Sequence, residues 1–88
     1  MTIKENFVLR QVAGTGVVLP LGAAVVELNG MLSLNDAGAL LWRTLERGAD
    51  QETLVQALTE EYIVDPAVAQ KDVEAFLEKL SKIGCLEK

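Results

Sequence analysis

Apolar residues along this chain follow two periods in succession, strand-like in the first third and helical thereafter. Phe7-Val8-Leu9-Arg10-Gln11-Val12 is rich in strand formers, and Val17-Val18-Leu19-Pro20 reads as its return. Between them, Ala13-Gly14-Thr15-Gly16 offers two glycines for the positive φ of a tight reversal. Pro20 cannot donate to a ladder, so this second strand is expected to lie at an edge or to stop there, and Gly22 supports the stop. Ala24-Val25-Val26-Glu27-Leu28 and Met31-Leu32-Ser33-Leu34 then flank Asn29-Gly30, the pair that most readily forms a type I′ turn between antiparallel strands. Leu32 and Leu34 fall on one face and Met31 and Ser33 on the other, with Leu34 the expected core anchor.

The period changes at Asn35, whose side chain can cap a helix over about 36–47, with Asp36 well placed against the helix dipole and Gly48 closing the segment. Ala37, Leu41, Trp42 and Leu45 form its apolar stripe, and Trp42 is expected to fill the core rather than serve as a stacking platform. Asp50 caps a second helix with the stripe Leu54, Val55, Leu58 and Tyr62. Asp65-Pro66 starts a third, in which Val68, Val73, Phe76, Leu77, Leu80 and Ile83 make the stripe and Gly84 the stop. The expectation is α+β: one domain over 1–88, a small antiparallel sheet followed by three helices, with residues 1–6 frayed.

Composition narrows what such a domain can do. With 88 residues, half of them apolar, the chain suits one core that buries roughly 60–65% of the unfolded surface. Histidine is absent and Cys85 is the lone cysteine, so no metal site, cofactor or internal disulfide is readable. The N-terminus lacks the features of a secretion signal and no apolar run approaches the 18 or so residues of a membrane span, which makes the cytoplasm the default.

Candidate chemistry is sparse. Glu60, Glu61, Asp72, Glu74 and Glu78 lie on polar helix faces, the last three interleaved with Lys71, Lys79 and Lys82, as in a solvated surface rather than an acid–base pair. Cys85 has no histidine to activate it, and Gly-Thr-Gly at 14–16 is a turn without the features of a phosphate loop. A sheet with a helical trio is also the look of a winged helix-turn-helix, whose partner would be DNA. Helix 2 carries Asp50, Glu52, Glu60 and Glu61 with no lysine or arginine between them, and the formal charge is −5, so phosphate neutralisation through that helix is not expected.

Taken together, Phe7-Val8-Leu9-Arg10, Leu19-Pro20, Leu34-Asn35-Asp36-Ala37-Gly38 with Leu41-Trp42, Glu60-Glu61-Tyr62-Ile63-Val64-Asp65, Asp72-Val73-Glu74-Ala75-Phe76-Leu77 and Leu80-Ser81-Lys82-Ile83-Gly84 resemble the PqqD-like family over about 7–86. The resemblance implies a winged-helix-like, non-catalytic recognition element. Such an element binds the leader of a ribosomally made precursor peptide and passes it to a modifying enzyme, often a radical SAM protein. It also implies that the leader adds a strand to the outermost strand and packs in the groove beside the third helix. Here Met31, Leu32, Ser33 and Leu34 correspond to the receiving strand, and Ala69, Asp72, Val73 and Phe76 are the groove candidates, with core filling the alternative for Val73 and Phe76. An unpaired strand edge can accept an extended peptide on general grounds too. Two rivals remain: a winged-helix DNA-binding domain, and a module that pairs or swaps its free strand with a second copy. The long apolar stretch from Phe7 to Leu21 is expected either to cover a sheet edge or to swap in this way.

Overall fold

The computed structural model describes residues 1–21 and 32–87. The hairpin expected about Asn29-Gly30, and with it Met31 of the receiving strand, lies outside these residues. The elements in order are β1 (Thr2–Ile3), β2 (Phe7–Val12), β3 (Thr15–Pro20), β4 (Leu32–Leu34), α1 (Asp36–Glu46), α2 (Gln51–Glu61), α3 (Pro66–Ile83) and β5 (Leu86–Glu87). The class is α+β, with an antiparallel sheet in the order β2-β3-β4 leading into three helices.

β2 and β3 pair from Phe7↔Pro20 to Val12↔Thr15, which leaves Ala13 and Gly14 as the two turn residues. Both have positive φ, 52° and 81°, the backbone that lets a short turn follow the twist of its strands. Gly16, expected to help this reversal, is instead a strand residue opposite both Gln11 and Leu34. A Cβ on Gly16 would sit 3.3 Å from the Leu34 carbonyl oxygen and 3.4 Å from Leu9 Cδ1, so the glycine serves close strand approach. Pro20 does end its strand, but β3 is central rather than an edge. β4 pairs only with Gly16, Val17 and Val18, so the missing donor of Pro20 falls beyond that ladder. The first hairpin thus covers one edge of β4.

The N-terminus, expected to fray, is tied down. Thr2 and Ile3 pair antiparallel with Glu87 and Leu86, Lys4 N–H donates to the Cys85 carbonyl at 3.0 Å, and Ala49 N–H donates to the Met1 carbonyl at 2.9 Å. Ile3 is buried in the core cluster, and this burial offsets the entropy lost in ordering the segment.

Each helix begins on a side-chain cap. Asn35 Oδ1 accepts from Gly38 N–H, Asp50 Oδ1 from Thr53 N–H, and Asp65 Oδ1 from Ala67 N–H, each at 2.8 Å. The Thr53 hydroxyl also donates to Asp50, and these two bonds, the hydroxyl first, hold the Asp50 carboxyl below its usual pKa. α3 ends at Gly84 in the left-handed conformation at φ 87°. The core gathers Trp42, Leu45, Leu54, Val73 and Leu80 beneath Val18, Leu32 and Leu34 of the sheet. Each fully buried leucine contributes about 1.5–3 kcal/mol. The stripe of α3 departs from expectation at one position: Val68 is 49% exposed, and Ala69 is buried in its place. Ala69, Val73, Phe76 and Leu80 follow the helical steps of four, three and four residues, whereas Val68 is five residues from Val73.

Ala13 occupies a left-handed conformation that costs a residue with a Cβ about 1–2 kcal/mol. Ala13→Asn keeps the turn and relieves that strain through the asparagine's local hydrogen bonding, so it should raise unfolding stability by about 0.5–1 kcal/mol in urea titration. Unchanged or lower stability would mean that the turn is not limiting in this hairpin.

Candidate functional site

Among the described residues β4 pairs with β3 alone, and no described strand pairs with its other side. Which backbone groups face that edge follows from the register. The Leu34 carbonyl oxygen lies against Gly16 and so is turned toward β3. Pairs in an antiparallel ladder alternate between those that exchange hydrogen bonds and those that do not. Gly16↔Leu34 and Val18↔Leu32 are then the bonded pairs, and the intervening Val17↔Ser33 pair leaves the Ser33 N–H and C=O turned outward. Ser33 is exposed, whereas Leu32 and Leu34 point into the core.

Beside this edge runs a groove of about 460 Å³. Ser33, Leu34 and Asn35 form its sheet side, and Ala37, Gly38 and Leu41 of α1 its floor. Leu58, Tyr62 and Val64 bound it from α2 and the following loop, and Asp72, Ala75, Phe76 and Lys79 from α3. The walls close because small residues let the helices approach. A Cβ on Gly38 would lie 3.3 Å from Leu34 Cβ and 3.5 Å from Phe76 Cε1, so the bare glycine admits the Phe76 ring against the first turn of α1. Apolar walls beside a strand whose outward backbone groups meet no partner among the described residues can hold an extended chain. They present no nucleophile with a base beside it, and among the described residues no group of three or more acidic, histidine or cysteine side chains could hold a metal.

Of the residues expected at the site, Ser33, Leu34, Asp72 and Phe76 meet in this groove. Leu32, Ala69 and Val73 do not line it and belong to the core cluster. Val73 therefore follows the core-filling alternative, while the half-buried Phe76 reaches both core and groove. Ala75 and Lys79 were not among the groove candidates, Lys79 being read as part of a solvated face, although they stand three and seven residues after Asp72 on the same helical face. Tyr62, Val64, Leu58 and Leu41 had no comparable local signal, because only the packing of α2 against α3 brings them to this wall.

Cys85 lies away from the groove, fully buried, its Sγ 3.7 Å from the Leu80 carbonyl oxygen. Burial pushes its pKa from 9.0 up to about 11, so the thiol stays protonated and unreactive at neutral pH. No helix among the described residues is long and apolar enough to cross a membrane.

Residues 15–86 match the family described as Coenzyme PQQ synthesis protein D (PqqD). No curated protein matches the chain. Among solved structures, TbiB1 in complex with the TbiA(beta) leader peptide is similar, with 29% identity and a TM-score of 0.79 over 99% of this chain and 95% of that one. Lasso peptide synthetase B1 complexed with the leader peptide has 26% identity and a TM-score of 0.77 over 98% of this chain and 95% of that one.

The raised Cys85 pKa links stability to pH. Below about 9 the thiol is neutral folded and unfolded alike; between 9 and 11 the unfolded chain ionises first, so the contribution present at low pH is lost as pH rises through that window. The parent protein should lose on the order of 2–3 kcal/mol more stability from pH 8 to 11 than Cys85→Ala does, measured by urea titration at each pH. Equal losses would show that the thiol is not the linked group.

Proposed function

Because the chain belongs to the coenzyme PQQ synthesis protein D (PqqD) family, we propose that it is a non-catalytic adaptor that binds the leader of a ribosomally made precursor peptide and presents it to a modifying enzyme. The observation that carries this reading is the outward-facing Ser33 backbone beside an apolar groove. A leader strand laid along β4 satisfies the Ser33 N–H and C=O, and its alternate side chains enter the groove against Phe76, Ala75 and Leu34. The backbone bonds supply affinity for any extended chain, and the walls select among chains.

That both similar structures hold leader peptides supports the choice of ligand. The absence of histidine and the sequestered Cys85 thiol support an adaptor rather than a catalyst. For the modifying enzyme, the likeness to a lasso peptide synthetase component favours a lasso-peptide maturation system over the radical SAM partner expected from the family resemblance.

A synthetic leader of the cognate precursor should bind with a Kd in the micromolar range or tighter, on the order of −8 kcal/mol. In an NMR titration the Ser33 and Leu34 amides should shift. Ser33→Pro removes the outward donor while sparing the bonds to β3, so it should keep the helical circular dichroism and weaken leader binding by about tenfold or more. Equal affinity of a folded Ser33→Pro variant would rule out strand addition at β4.

A further inference from the structure

The groove wall contains two charged side chains, and their placement on α3 is ordered. Asp72 and Lys79 stand seven residues apart, with Phe76 between them, all within a sector of about 60° at 100° per residue. Both charged residues are exposed, and among the described residues neither makes an ion pair or a side-chain hydrogen bond. Among the described residues the one ion pair is Lys82 with Glu78 at 3.3 Å, outside the groove lining. The face turned toward the ligand therefore reads acid, aromatic, base along roughly 10 Å of helix axis.

An extended peptide advances about 3.3 Å per residue and points every second side chain to the same face. Three successive side chains on that face span about 13 Å, and long charged side chains bridge the remaining difference from the helix spacing. Resting on the leader-binding reading above, we propose that Asp72, Phe76 and Lys79 select a leader segment in which a lysine or arginine and an aspartate or glutamate stand four residues apart with an apolar residue midway. The apolar residue seats on Phe76, the cation on Asp72 and the anion on Lys79. A ladder edge alone accepts a strand in parallel or antiparallel sense. Opposite charges at the two ends of the wall admit one order, so the same contacts fix the direction in which the leader lies on β4.

The test uses the full protein and the synthetic leader of its cognate precursor, read by isothermal titration. Asp72→Lys and Lys79→Glu lie at exposed positions, so both variants should keep the parent circular dichroism. Each should weaken leader binding about three- to fivefold, an effect that shrinks as salt is raised. A leader whose positive residue is replaced by glutamate should bind the parent poorly in either strand sense and regain affinity with Asp72→Lys. A leader that binds the parent and both single variants with the same Kd overturns the charge reading and leaves strand addition standing. A binding leader that lacks the charge–apolar–charge pattern does the same. Failure of the parent to bind any leader overturns the adaptor function itself, and this inference falls with it.

Discussion

Leu34 is gripped between two glycines, and the geometry of the functional face depends on that grip. On one side its carbonyl oxygen lies 3.3 Å from where a Gly16 Cβ would be, and on the other its Cβ lies 3.3 Å from where a Gly38 Cβ would be. The first approach draws β4 against β3 and sets their register; the second lets the chain turn from strand into helix across a single residue, Asn35, whose side chain caps the new helix. A methyl group at either glycine would press within 3.4 Å of Leu34, at its carbonyl oxygen from Gly16 and at its Cβ from Gly38, so strand and helix would have to shift by a few tenths of an ångström. The Phe76 ring fills the space that Gly38 leaves, so α3 takes its position from the same junction.

From this junction follow both parts of the binding face. Register decides that Ser33 turns its backbone outward and that Leu32 and Leu34 turn inward, so one residue offers the ladder and its neighbours anchor it. The same strand end forms a wall of the groove. A binder of this kind needs a rigid edge, because a strand that must first order itself would spend part of the binding free energy on its own folding. Three side-chain caps and the pairing of β1 with β5 provide rigidity without a large core.

Charge completes the picture. The acidic balance of the chain and the lack of any basic residue in the last turn of α2 disfavour neutralisation of a phosphate backbone by that helix. Inside the groove the balance is different, one acid and one base, which suits a ligand that carries both signs.

Much of the framework was legible in the chain itself. Asn35, Asp50 and Asp65 mark helix starts because capping bonds reach only two or three residues, and Gly84 marks a stop because its backbone conformation is a local property. Leu32, Ser33 and Leu34 could be assigned their faces from alternation alone. Other features were decided by residues distant in sequence. The anchoring of Thr2 and Ile3 depends on a partner strand at the opposite end of the chain, and no local pattern announces it. Gly16 looked like a turn residue until Leu34 was seen to press against it, and Val68 looked like core until the packing of α2 against α3 buried Ala69 instead. Tyr62, Val64 and Lys79 become neighbours of Ser33 only when helix and strand pack together. By itself the sequence determined β2, β3, β4 and the three helices, since those choices rest on hydrogen bonds and periodicities spanning a few residues. The tertiary structure alone decided which side chains share the groove, since that is a matter of contacts between elements whose separation along the chain carries no signal.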